Sequence, residues 1–171
     1  SIDEKILSIK KFETGQSNPT FLLKSDNKSF VLRSKPLGNL LRGAHRIDRE
    51  YKVMSALSNS KIPIPKMYGY CYDMNIIGSE FYVMEFLNGA NEFDPDLPNY
   101  STEQRDKIYK HKIKILAELV KLDLKKIGLE NFGKPYGYLE RQIKLWIKQY
   151  RDSETKHIKS MEYLINTIPK Y

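Results

Sequence analysis

At 171 residues, with 40% hydrophobic and 29% charged residues, the chain has the length and apolar content of one packed domain, which excludes wholesale disorder. Its 29 Lys and Arg against 21 Asp and Glu give a net charge of +8, which favours anionic partners as a class without choosing among nucleotides, coenzymes, nucleic acid and membrane surfaces. The single cysteine, Cys71, excludes an intrachain disulfide, and no run of about 18 apolar residues offers a membrane span.

The missing disulfide points to an intracellular reducing compartment, with cytoplasm, mitochondrion and peroxisome undistinguished. Cys71 lies in the apolar run MYGYCYD and reads as a small buried filler.

The first half predicts strands with one helix inserted. Ile6 to Phe12 reads as a strand, and after the loop GQSNP the run FLLK, a turn at Ser25-Asp26-Asn27 and FVLR form a hairpin. From Ala44 to Leu57 the apolar residues Ile47, Tyr51, Met54 and Leu57 recur at helical spacing, and Ser58-Asn59-Ser60 ends that helix. KIPIP is held extended by its prolines, after which MYGYCYD and EFYVMEFL read as two further strands. Five strands and one helix make a small α+β lobe, residues 1–87.

The second part, residues 88–171, is expected to be helical. Ser101 with Gln104 is a capping box that opens a helix to about Asp123, on which Tyr109, Ile113, Leu116 and Val120 form an apolar stripe expected to be buried. The glycine-rich loop IGLENFGKPYGY leads to a second helix around LERQIKLWIKQY, and Glu154 to Thr167 forms a third. Trp146 with Arg141 and Tyr150 on one helix could line a substrate cleft, but an aromatic at helical spacing among apolar residues reads first as core.

The loop at Gly15, Gln16, Ser17 and Asn18 joins strand to strand. It lacks the lysine and hydroxyl ending of a Walker loop and precedes a strand, so on its own it is an ordinary turn. Its neighbours change that reading. Arg33 ends the hairpin as FVLR, while Glu50 falls on the apolar face of its helix, where an unpaired carboxylate costs several kcal/mol. Arg33 is its candidate partner. A strand cation paired with a helix glutamate after a glycine loop is the arrangement that holds ATP phosphates in kinase-type folds.

These features, with GQSNPTFLL, LLRGAHRIDREYKVM, IPIPKMYGYCYD, IIGSEFYVMEFLNG and GLENFGKPYGYLERQIKLWIKQY, resemble the aminoglycoside phosphotransferase-like kinases, and more narrowly the kinase-like domain fused to some acyl-CoA dehydrogenases. The resemblance covers nearly the whole chain. It implies an α+β, protein-kinase-like N-terminal lobe followed by the first helices of the C-terminal lobe. By it, Gly15, Gln16, Ser17 and Asn18 cover the nucleotide phosphates, Arg33 faces the phosphates and Glu50 orients it. Met84 guards the back of the adenine pocket, and the Glu85 carbonyl with the Leu87 amide reads the adenine edge. The implied ligands are ATP and Mg2+, with FAD only in a fused dehydrogenase domain. The implied partners are a nucleotide and a small-molecule hydroxyl substrate such as a hydroxyacyl-CoA.

Two departures stand beside the resemblance. The family's catalytic H-x-D-x-x-x-x-N loop and metal-holding D-x-D do not occur here, so no catalytic or metal-ligating residue is assigned, and both are expected beyond Tyr171. Val120 stands where relatives commonly carry histidine. A non-catalytic nucleotide-binding or docking domain of a larger dehydrogenase-type protein is therefore a second open reading. A nucleic-acid partner is not expected, because the basic run from Lys110 to Lys114 lacks interleaved exposed aromatics.

Overall fold

The computed structural model of the protein describes residues 4–13, 17–38 and 45–168. Five strands, β1 (Ser8–Lys11), β2 (Thr20–Lys24), β3 (Ser29–Ser34), β4 (Met67–Cys71) and β5 (Phe81–Glu85), form one antiparallel sheet in the order β1-β2-β3-β5-β4. The β2–β3 hairpin closes where the Ser25 amide donates to the Lys28 carbonyl at 2.9 Å and the Lys28 amide donates to Ser25 Oγ at 3.1 Å. Short polar side chains favour this turn because they can take the place of backbone partners.

Helix α1 (Ile47–Leu57) interrupts the strand sequence after β3. It carries the chain to the far edge, so that β5 returns to pair with β3 and β4 stays outside. Its apolar face packs on β4 and β5: Ile47 is fully buried, Leu57 nearly so, and the Tyr51 ring lies 5.5 Å from Tyr70 and 6.0 Å from Tyr82. Each such aliphatic burial contributes about 1.5–3 kcal/mol.

Register places the side chains of this face in rows, because cross-strand partners share a face. Thr20, Arg33, Tyr82 and Tyr70 form a polar row, and Leu22, Val31, Met84 and Met67 form the apolar row beside it. The ladder slips at Tyr68, between the Met67 and Gly69 pairs.

The chain divides into two compact units, Ser1–Gly128 and Leu129–Tyr171. The first holds the sheet, α1 and α2 (Thr102–Val120), whose start is fixed by the capping box of Ser101 and Gln104. The second holds α3 (Tyr138–Ser153) and α4 (Lys159–Thr167). Gly137 precedes α3 with a φ of 65°, a left-handed turn that glycine adopts without steric cost. Arg151 fastens α3 to α4, reaching Glu154 at 3.0 Å and Glu162 at 2.7 Å.

Three burial expectations need correction. No residue of α2 is buried, and Val120 at 77% exposure and Ile113 at 64% leave its stripe open. Trp146 is 64% exposed and lines an apolar groove with Tyr138, Tyr150 and Leu164. Cys71, at the end of β4, is half-buried because that strand is a sheet edge. An apolar stripe encodes the need for a covering surface, not its identity.

Candidate functional site

On the α1 side of the sheet, the exit of β5 opens into a cleft of about 580 Å3, within the range of small-molecule sites. Val31 and Met84, neighbours in the apolar row, form its floor, and Glu85, Phe86 and Leu87 line the side where the chain leaves the sheet. Leu87 is exposed there, and the Glu85 carboxylate accepts from the Lys66 amide at 3.1 Å. Arg33 is the cation of the lining.

The polar row explains how Arg33 is held. Its Nε lies 2.8 Å from Glu50 Oε2 without alignment for a hydrogen bond, so the contact is an ion pair, and its Nη1 donates to Thr20 Oγ1 at 3.2 Å. Glu50 reaches down from the first turn of α1 and also accepts from the Tyr82 hydroxyl at 3.1 Å and from Asn18 Nδ2 at 3.2 Å. Burial, and next the Glu50 charge, push the Tyr82 phenol well up from its ordinary value of 10.0, so it keeps its proton and stays a donor.

The Arg33 and Glu50 side chains are 30% and 37% exposed. An ion pair so open to water is worth only about 0–1 kcal/mol, too little to explain the several groups that fix it. Its geometry serves position: Arg33 faces the cleft, while Glu50, Asn18 and Tyr82 stand behind it.

Of the expected site residues, Arg33, Met84, Glu85 and Leu87 line the cleft, Glu50 pairs with Arg33, and the loop residue Ser17 is exposed. Asn18 is 5% exposed with its amide turned to Glu50. Gly15 and Gln16 lie outside the described residues. Sequence reasoning missed Thr20, Tyr82 and His45. Register could have found the first two, since both fall in the row of Arg33 once the hairpin is placed. His45 gave no periodic signal, because it acts from a backbone φ of 56°.

Among the described residues, the one cluster with metal-ligand spacing is Glu154, His157 and Glu162, and Arg151 already pairs with both carboxylates. The cleft lining has a cation and no converging carboxylates, a donor set that fits phosphate oxygens and not a divalent cation.

Residues 8–171 match the model of the phosphotransferase enzyme family. A solved structure from Ralstonia eutropha JMP134, described as a candidate aminoglycoside phosphotransferase, is similar at a TM-score of 0.74 and 41% identity, over 96% of this chain and 47% of that one. Acyl-CoA dehydrogenase family member 10 of Mus musculus is 40% identical over 163 residues, and family member 11 of Rattus norvegicus 43% over 159. These matches take in 95% and 93% of this chain but only 15% and 20% of the relatives, so the chain spans about a fifth or less of their length.

Proposed function

Because the chain belongs to the phosphotransferase enzyme family, we propose that it is the ATP-binding portion of a small-molecule phosphotransferase that moves the γ-phosphoryl group of ATP to a substrate hydroxyl. Its five-stranded antiparallel sheet and helices have the kinase-like α+β fold of the aminoglycoside phosphotransferases. In this reading residues 1–87 cradle the nucleotide and residues 88–171 begin the helical lobe. The acceptor we propose is a hydroxyacyl-CoA, and the larger protein joins this lobe to an FAD-dependent dehydrogenase domain. Relatives named as acyl-CoA dehydrogenase family members support both points.

The observation that carries the proposal is Arg33, held at 2.8 Å by Glu50 and facing a cleft whose floor is the apolar pair Val31 and Met84. Arg33 donates to phosphate oxygens, and its planar fork suits them better than a lysine would. Glu50 keeps the guanidinium from swinging to water, so the cation is preorganised when the phosphates arrive. Val31 and Met84 offer the apolar surface for the base, with the Glu85 carbonyl and Leu87 amide at its edge, and Ser17 and Asn18 belong to the loop beside the phosphates. Magnesium, when bound, offsets charge on the triphosphate. No residue of this chain is assigned the proton transfer from the acceptor hydroxyl.

Calorimetric titration with Mg-ATP tests this reading. Arg33→Ala is expected to weaken binding about tenfold or more, the loss of a charge-assisted contact of about 1.5–3 kcal/mol. No nucleotide binding at about millimolar concentration, with single-stranded nucleic acid bound instead and steeply salt-dependent, would contradict it.

A further inference from the structure

Behind the ion pair lies a chain of hydrogen bonds whose polarity can be derived. Glu50, as a carboxylate, only accepts, so the Asn18 side-chain NH2 must face it, at 3.2 Å. That turns Asn18 Oδ1 towards His45 Nδ1, 2.8 Å away. An oxygen so placed needs a donor, so His45 carries its proton on Nδ1. Asn18 also reaches the other half of the pair: its backbone carbonyl accepts from the Thr20 hydroxyl at 3.0 Å, and Thr20 Oγ1 accepts from Arg33 Nη1 at 3.2 Å.

We propose that His45 and Asn18 are positioning residues: a donor at His45 Nδ1 fixes the orientation of the Asn18 amide, which holds Glu50, and through it Arg33, in the phosphate-facing geometry. The functional part of this inference rests on the reading of Arg33 given above. The burial of Asn18, at 5% exposure, makes its amide orientation consequential, because a reversed amide would set oxygen against carboxylate with little water to relieve it. The relay also gives a reason for the left-handed backbone of His45, with a φ of 56°, just before α1. That conformation aims the ring back at Asn18, the last residue of the loop.

Two substitutions separate polarity from shape. Asn and Asp both tolerate a left-handed backbone, and their terminal atoms lie as many bonds from the main chain as histidine Nδ1. His45→Asn keeps a donor, whereas His45→Asp offers only acceptors and forces the Asn18 amide over. The first readout is the Arg33 Nε–H resonance in 15N-correlated NMR of the full chain, assigned by its loss in Arg33→Lys. The second is Mg-ATP affinity. His45→Asn should keep the resonance in place and the affinity within about threefold, while His45→Asp should shift the resonance and weaken binding about tenfold, a loss of one charge-facing hydrogen bond. Should His45→Asp fail to fold, Asn18→Asp puts a carboxylate oxygen against Glu50 and must displace the same resonance. A resonance unmoved by a folded acceptor variant overturns the relay. Absence of Mg-ATP binding by the parent chain counts against the proposed function alone, since the resonance still decides the relay.

Discussion

Tyr82 is 2% exposed, and its hydroxyl donates to a carboxylate that also faces Arg33. Its phenol is pushed up from 10.0, so the folded chain holds that proton more tightly than the unfolded chain does. The resulting stability is intact below about pH 10, the unfolded value, and is lost as pH rises towards the folded one. Tyr82→Phe keeps the ring and removes the hydroxyl. It should cost about 1–2 kcal/mol at neutral pH and flatten the alkaline loss, which urea unfolding at about pH 7 and about pH 10.5 would measure. An unchanged alkaline slope would mean that the Tyr82 proton is not held this way. Residues such as Glu50 are legible in sequence because a carboxylate on an apolar stripe demands a partner. His45 is not, since a single left-handed residue leaves no trace in a helical or strand period.

At the scale of elements, hydrophobic period and turn chemistry located each strand and helix of the described residues, while hydrogen bonding set their ends. The first strand, expected from Ile6 to Phe12, has its paired core at Ser8–Lys11, and backbone hydrogen bonds to β2 extend it on both sides: the Leu7 amide donates to the Lys24 carbonyl at 2.8 Å and the Phe12 amide to the Thr20 carbonyl at 2.9 Å. Helix α1 was expected from Ala44, which lies outside the described residues; it runs from Ile47, two residues after the left-handed His45. The start of α2 was legible because the capping box is a local signal: Ser101 Oγ accepts from the Gln104 amide at 3.3 Å, and the Ser101 amide donates to Gln104 Oε1 at 2.8 Å. As α2 buries no residue, its first turn depends strongly on that cap. Ser101→Ala should cost about 1 kcal/mol and lower the helical signal in circular dichroism on heating. A melt that matches the parent would show that tertiary contacts, not the cap, hold the turn.

Across the whole molecule, the apolar stripe of α2 and the groove between α3 and α4 are surfaces that the sequence marks for burial and the described residues leave open. The pattern was read correctly as amphipathic. Its covering partner was not legible, since periodicity carries no information about what lies opposite. The cleft was legible for a different reason. Arg33 and Glu50 lie in different elements, yet each has its face set by a simple period, two residues for β3 and 3.6 for α1, so their meeting follows once α1 is laid on this face of the sheet. The central claim is that this pair presents a cation to the phosphates of ATP, and that Glu50 acts through Arg33. The most direct test is a double-mutant cycle in Mg-ATP affinity with Arg33→Ala, Glu50→Gln and both together. The account predicts that each single change weakens binding about tenfold and that the double variant binds no more weakly than Arg33→Ala alone. Losses that simply add, or a parent chain that does not bind Mg-ATP, would contradict it.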